Sequence, residues 1–306
     1  MKREKNTSRS KDFLLEPCRD FIFKHLFGLE GQEERLLSLI NAILGYKHPP
    51  ESPRHGHPLE SLMFRNPEIP RENIDGKTVR LDILTVVSNG TEINVEAQRK
   101  PIKELIERSI CYQAKMITAA LKRGENYSTI PSMLSLWITD YRTKGGRHYG
   151  YHEALFTYQD NGFDPVEVAS DRFRTIILEL PKIKYDANLE TEEDMFILWM
   201  AFLGNPRSIP ESVGKRVKII GDAMADLRDM STDEDFVRSW DEWRFLVDRR
   251  FDMAEGMEKG IRQGIRQGIR QGIRQGIEEG VRKTTLAMLR DNVPLPTIAK
   301  YTGLSE

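Results

Sequence analysis

Cysteine is nearly absent from this chain: 306 residues carry two, Cys18 and Cys111. Two thiols build no disulfide framework, so a reducing, cytoplasmic setting is expected, with packing as their role. Both fall in segments that read as helix. Long apolar runs are also missing. No stretch approaches the ~20 apolar residues of a bilayer span, so no membrane role is expected. The opening MKREKNTSRSKDF lacks the apolar core of a signal peptide, and residues 1–11 read as a disordered basic arm. Charge of one sign is missing too. The net charge is −1, so nucleic-acid contact has to come from local patches rather than a global field. What remains is 39% hydrophobic and 30% charged, the balance of a soluble globular protein long enough for a sizeable core.

The most informative stretch is Arg80 to Lys100, RLDILTVVSNGTEINVEAQRK. It reads as two short strands joined at Ser88-Asn89-Gly90, where glycine supplies the positive φ of a three-residue loop with a bulge. With Val87 opposite Thr91, Asp82 falls opposite Glu96, and Arg80 opposite Gln98. Side chains alternate along a strand. Leu81, Ile83, Val87, Ile93, Val95 and Ala97 then share an apolar face, while Arg80, Asp82, Asn94, Glu96 and Gln98 share a polar one. A two-residue Asn-Gly turn would shift the register by one and break the match.

Opposed residues on paired strands have Cβ atoms roughly 4.5–5.5 Å apart. Two carboxylates that close repel unless a cation or a shared proton compensates. Mg²⁺ is often held by one or two carboxylates plus water and a substrate phosphate, and the ion polarises a phosphoryl oxygen and acidifies a bound water. A metal-dependent nuclease is therefore the leading reading. The bland alternative is a solvated strand face with Asp82 paired to Arg80 or Arg99.

Several ordered motifs extend the pattern. PCRDFIFKHLFG (Pro17 to Gly28), LLSLINAILG (Leu36 to Gly45), the two motif strands, Glu107-Arg108-Ser109 with Tyr112, and Leu178 to Lys182 follow one another in the chain. Together they resemble the recombination-promoting nuclease/putative transposase family of the PD-(D/E)xK phosphodiesterase superfamily. The resemblance implies an α/β, restriction-endonuclease-like fold: a central mixed sheet flanked by helices, with helical C-terminal additions. It implies a DNA endonuclease that uses Mg²⁺ or Mn²⁺ and is linked to recombination or mobile elements. Asp82 and Glu96 would be metal ligands, with the Ala97 carbonyl a third. Gln98 stands where the superfamily usually has lysine; its amide carries no charge but orients water or a phosphate oxygen. Asp20 is either an acid near the metal or simply the N-cap of a helix whose core stripe includes Phe23 and Phe27. Arg108 and Tyr112, four apart on one helix face, either steer a phosphate or brace the helix.

Elsewhere, residues 17–45 read as one or two helices stopping at Gly45, and residues 46–78 as loop with strand pieces near Leu59 to Phe64. His55 and His57 form an H-x-H pair without a nearby carboxylate. A helix is expected over 102–124 and a buried central strand over 131–139. Next comes DYRTKGGRHYG, in which Arg142, Lys144 and Arg147 are candidate phosphate contacts. Strands at 154–158 and 175–180 precede helices at 191–204, 211–229 and 233–253. Phe236, Trp240, Trp243, Phe245 and Leu246 are expected to pack.

Residues 261–276 are four identical copies of Ile-Arg-Gln-Gly. They read either as a self-association helix, giving a candidate homo-oligomer through 255–280, or as a flexible spacer; the arginines are also placed to graze DNA. The expected layout is a basic arm (1–11), a nuclease-like domain (12–254), the repeat (255–280) and a small helical tail (281–306). The rival to a DNA endonuclease is a catalytically weak DNA-binding or assembly protein that oligomerises through its repeat. A third reading is a nuclease acting on RNA.

Overall fold

In a computed structural model of the chain, the described residues are 13–45, 58–65, 68–69, 79–80, 82–102, 104–121, 124–143, 150–158, 167–183 and 188–305. The basic arm, His55, His57, Lys144 and Arg147 lie outside them. The chain divides into two units, residues 1–240 and 241–306.

The first unit is built on a six-stranded mixed sheet. Its strands are β1 (Leu62–Arg65), β4 (Ile83–Val87), β5 (Glu92–Gln98), β6 (Met133–Thr139), β7 (Tyr151–Tyr158) and β8 (Glu167–Glu179), in the order β1-β4-β5-β6-β8-β7. β1, β4 and β5 are antiparallel neighbours, β5, β6 and β8 run parallel, and β7 returns antiparallel at the edge. A separate two-stranded ladder joins β2 (Glu68–Ile69) to β3 (Val79–Arg80). The α/β expectation holds, with the apolar run at 131–139 forming the fully buried strand β6 between two parallel neighbours.

Helix α3 (Leu105–Ala120) covers one face of the sheet. Leu105, Tyr112 and Met116 pack on Met133, Trp137 and Ile177, and Ser109 hydrogen-bonds Thr175 at 3.0 Å. The other face carries Ile83, Ile93, Val95, Leu136, Ile176 and Leu178, all buried. Gly28, which caps α1 (Asp20–Phe27), sits against Ile83 on this side. Phe23 and Phe27 are fully buried and stack at 4.7 Å, as their spacing predicts. Beyond them lie α2 (Glu33–Gly45) and α4 (Met195–Gly204). The α4 sequence is apolar all round, and the helix is correspondingly buried, with Trp199 edge-on to Phe27 at 5.5 Å.

The sequence expectations need five corrections. Cys18 lies in the turn before α1, not in a helix; it is buried, with its thiol donating to the Ile138 carbonyl. Cys111 is exposed on α3 and does not pack. The helix expected over 211–229 is broken at Val217 into α5 (Glu211–Arg216) and α6 (Lys218–Thr232). The break lets the two helices cross at Gly214 and Gly221, whose backbones touch without any side chain between them. The helix expected to end at 253 runs on unbroken as α7 (Glu234–Arg290), through the whole repeat. Phe236 and Trp240, at its start, pack on Phe21, but Phe245 and Leu246 are exposed.

In the second unit, α7 is followed by α8 (Leu295–Thr302), which begins at Pro294 and ends on Gly303 at φ 72°. This matches the expected small helical tail.

A Cβ at Gly221 would collide with the carbonyl of Gly214. Gly221→Ala is expected to destabilise the protein by about 1–3 kcal/mol, the usual cost of overpacking, read as a lower urea midpoint with an unchanged slope.

Candidate active site

The hairpin forms in the expected register. The Val87 amide donates to the Thr91 carbonyl at 3.0 Å, the Gly90 amide donates to the Val87 carbonyl at 2.8 Å, and Gly90 has φ +80°. Ile83 pairs with Val95 and Thr85 with Ile93, which sets Asp82 across from Glu96. Two reciprocal bonds lock the acids. The Asp82 amide donates to Glu96 Oε1 at 3.1 Å, and the Ala97 amide donates to Asp82 Oδ2 at 3.2 Å. The expected Arg80–Gln98 rung is not made. The chain bends at Asp82, so Arg80 pairs with Glu68 and Gln98 pairs with Thr139 of β6. The Arg80 side chain lies outside the described residues.

This is not a solvated strand face. Glu96 and Asn94 are both 0% exposed beneath α3, and the Asp82 side chain is 8% exposed. Asp82 does not pair with Arg99. Arg99 instead faces Glu16 and Asp140, and the partner of Asp82 is Lys24. The Lys24 ammonium lies 3.0 Å from Asp82 Oδ1 and 2.8 Å from Asp20 Oδ1. Asp20 is the first helical residue rather than the cap: Arg19 holds the cap position and makes no side-chain cap bond. One helical turn therefore places Asp20 and Lys24 on one face of α1, aimed at the start of β4.

The electrostatics follow from burial. Desolvation first and Asp20 second push the Asp82 carboxyl up to about 6, against the pull of Lys24 and the Ala97 amide. Glu96 rises well above the usual carboxylate range, from desolvation first and from Asp82 second. Burial alone would lower the Lys24 pKa, but Asp82 and Asp20 reverse this, and the net shift is upward. Arg108 draws the Glu96 value back down. Its Nε donates to the Tyr112 hydroxyl at 2.6 Å, and its guanidinium sits 5.1 Å from the Tyr112 ring and 5.7 Å from the Trp137 ring. Burial, then Glu96, push the Tyr112 hydroxyl up to about 12, so it stays a neutral donor. The Glu96 Oε2 atom is buried without a hydrogen bond of ordinary geometry, although the Asn94 amide beside it also lowers the Glu96 value.

The donor set fits a hard divalent cation. Two carboxylates face each other, one buried oxygen has no hydrogen bond of ordinary geometry among the described residues, and the Ala97 backbone is adjacent. Among the described residues no three His, Cys, Asp or Glu side chains come together as a cage. That suits an ion completed by water and substrate oxygens.

The remaining expected residues divide. Gln98 is half-buried at the end of β5. Arg142 is exposed just beyond β6. Next to it, Thr143 donates its amide at 3.1 Å to Glu179, a fully buried carboxylate at the end of β8 that also faces Lys182 and, at 3.4 Å, His152. Sequence reasoning marks Leu178 to Lys182 as a motif but not Glu179 as this anchor, and it does not place Lys24 beside Asp82. For Lys24 a signal exists in its i, i+4 spacing from Asp20.

A profile described as "PD-(D/E)XK nuclease family transposase" matches residues 17–244. No curated protein and no solved structure matches the chain.

The raised acids make a pH prediction. A carboxyl raised by folding contributes stability that is fully present below its unfolded pKa and is lost as pH rises through the folded one. In EDTA, the Asp82 contribution is lost as pH rises from about 4 to about 6, and that of Glu96 is lost as pH rises through its own raised value. Glu96→Gln, which carries no charge at any pH, should gain stability on wild type as pH rises across that range. Chemical denaturation across that range reads the gap; a gap that stays constant would contradict the raised values.

Proposed function

The chain belongs to the PD-(D/E)XK nuclease family transposases, and we propose that it is a metal-dependent DNA endonuclease that hydrolyses phosphodiester bonds during recombination or mobile-element movement. The observation that carries this reading is the buried Asp82–Glu96 pair, locked by backbone amides, with one oxygen that has no hydrogen bond of ordinary geometry among the described residues. Such a pair costs stability unless something positive occupies it, and a substrate phosphate brought with a cation satisfies both needs.

Asp82, Glu96 and the Ala97 carbonyl would hold Mg²⁺ or Mn²⁺, which supplies Lewis acidity at a phosphoryl oxygen and a more acidic bound water. The chain's own residues do the rest. Gln98 has no charge, and Lys24 brings one to the same carboxylate from α1. Its ammonium would neutralise charge developing on the phosphoryl oxygens. Asp20 is a positioning residue that holds Lys24 at its other side. Arg108, fixed on Tyr112 and Trp137, keeps a second cation near Glu96 without entering the pair. The Gln98 amide orients water or a phosphate oxygen.

Pure protein incubated with supercoiled plasmid and Mg²⁺ should nick it. Nicking should stop in EDTA and in Asp82→Ala and Glu96→Ala. A folded wild type that cuts with neither Mg²⁺ nor Mn²⁺ would favour the catalytically weak DNA-binding or assembly protein. Preferential cutting of RNA in competition would move the substrate class.

Lys24→Gln is expected to lower kcat by ~10²–10³, the scale of losing one electrostatic stabiliser, with KM changed much less. Single-turnover rates would check the split. A Lys24→Gln rate equal to wild type would remove Lys24 from the chemistry.

A further inference from the structure

We propose that the Ile-Arg-Gln-Gly stretch of α7 grips the phosphate backbone of double-stranded DNA without regard to sequence, as a second contact besides the cleavage site. The inference rests on the reading that DNA is the substrate.

Three observations carry it. The first is charge. Residues 261–276 hold Arg262, Arg266, Arg270 and Arg274 and no other ionisable side chain, in a chain whose net charge is only −1. The chain has no global field, and this is a dense local one. Arg262 pairs with Glu258 at 2.5 Å and Arg274 with Glu278 at 2.9 Å, both on exposed side chains. Surface i, i+4 pairs of this kind are worth a few tenths of a kcal/mol and yield easily to a phosphate. Arg266 and Arg270 have no acid within four positions on either side.

The second is geometry. The stretch is one continuous helix, so arginines four residues apart rise about 6 Å per step and turn about 40°. That gives a slowly winding row of guanidinium groups about 18 Å long. Duplex DNA carries a charge every ~1.7 Å of axis, so each arginine meets a phosphate without demanding a base sequence.

The third is access. Every residue from 261 to 280 is exposed. A Cβ added at Gly260, Gly264, Gly268, Gly272 or Gly276 would meet nothing within 4 Å. Access to the arginine row is therefore open along its whole length.

A second copy of the chain fits this surface less well. Its apolar component is the single row Ile261, Ile265, Ile269, Ile273 and Ile277, 52–62% exposed. That row is one residue wide. A paired-helix seam needs two apolar positions in seven, or an apolar stripe of about 100°. Matching registers would also set arginine rows near one another.

The test measures binding of the full-length protein to a fluorescent DNA duplex in EDTA, so a protein that never cuts still reports the contact. Affinity is followed from 50 to 300 mM salt for three forms: wild type, all four arginines changed to Gln, and all four changed to Lys. Gln matches Arg in helix propensity, and circular dichroism checks the helix. Two to four phosphate contacts predict that the Gln form loses about 2–4 units of log–log salt slope, at 0.9 per contact, while the Lys form keeps the wild-type slope. A slope unchanged by Gln overturns the proposal. So does a loss that Lys also produces, because it would trace to the helix and not to charge. A Gln form that alters only sedimentation, and not DNA binding, assigns the surface to a second copy and overturns it as well.

Discussion

The site depends on the register of one hairpin. Gly90 adopts φ +80° and closes a three-residue loop, and this fixes Ile83 against Val95. From that rung, Asp82 and Glu96 have to meet. A slip of one residue would turn Glu96 out of the α3 side and bring Val95 into its place. The apolar partners on the other side, Ile83, Ile93 and Val95, are each at most 3% exposed, so a slip would also expose core. Stability and site geometry are therefore enforced by the same alternation.

That register assembles a charged cluster where charge is costly. Asp82 and Glu96 each use a backbone amide of the opposite segment, so neither can relax away from the other. Lys24 compensates from α1, while Arg108 compensates from α3 at a remove, held by aromatic rings. The raised carboxyls show that this compensation is incomplete. On the proposed reading, a fold that keeps such a pair in its sheet gives up some stability for a surface that binds positive charge. That is how a site optimised for a ligand differs from a core optimised for itself.

The hairpin is legible in the sequence because its signals are local. A turn glycine and strict alternation decide the register within twenty residues of sequence. The buried strand β6 and the Phe23–Phe27 stripe are legible for the same reason. Lys24 is not, since its place beside Asp82 depends on how α1 docks on the sheet. The burial of Asn94 and Glu96 does not show in the alternation, which tells which residues share a side, not what covers it. The covering helix α3 comes after the hairpin in the chain, and its docking is set by Leu105, Tyr112 and Met116. The split at Val217 is hidden because a glycine inside a helical pattern signals close approach only when its partner glycine is known. The repeat leaves two readings open at the sequence level because glycine every fourth residue lowers helix propensity by ~1 kcal/mol each. It is helical in the structure.

The central claim is that Asp82 and Glu96 form a cation site rather than a buried defect. Isothermal titration of Mn²⁺ into metal-free protein tests it most directly, with wild type beside Glu96→Gln, a change of charge with little change of shape. A cation site predicts saturable binding in wild type that tightens as pH rises through the range where the two acids ionise, and that Glu96→Gln abolishes. Equal binding by both proteins, or none by a folded wild type at pH 8, would contradict it.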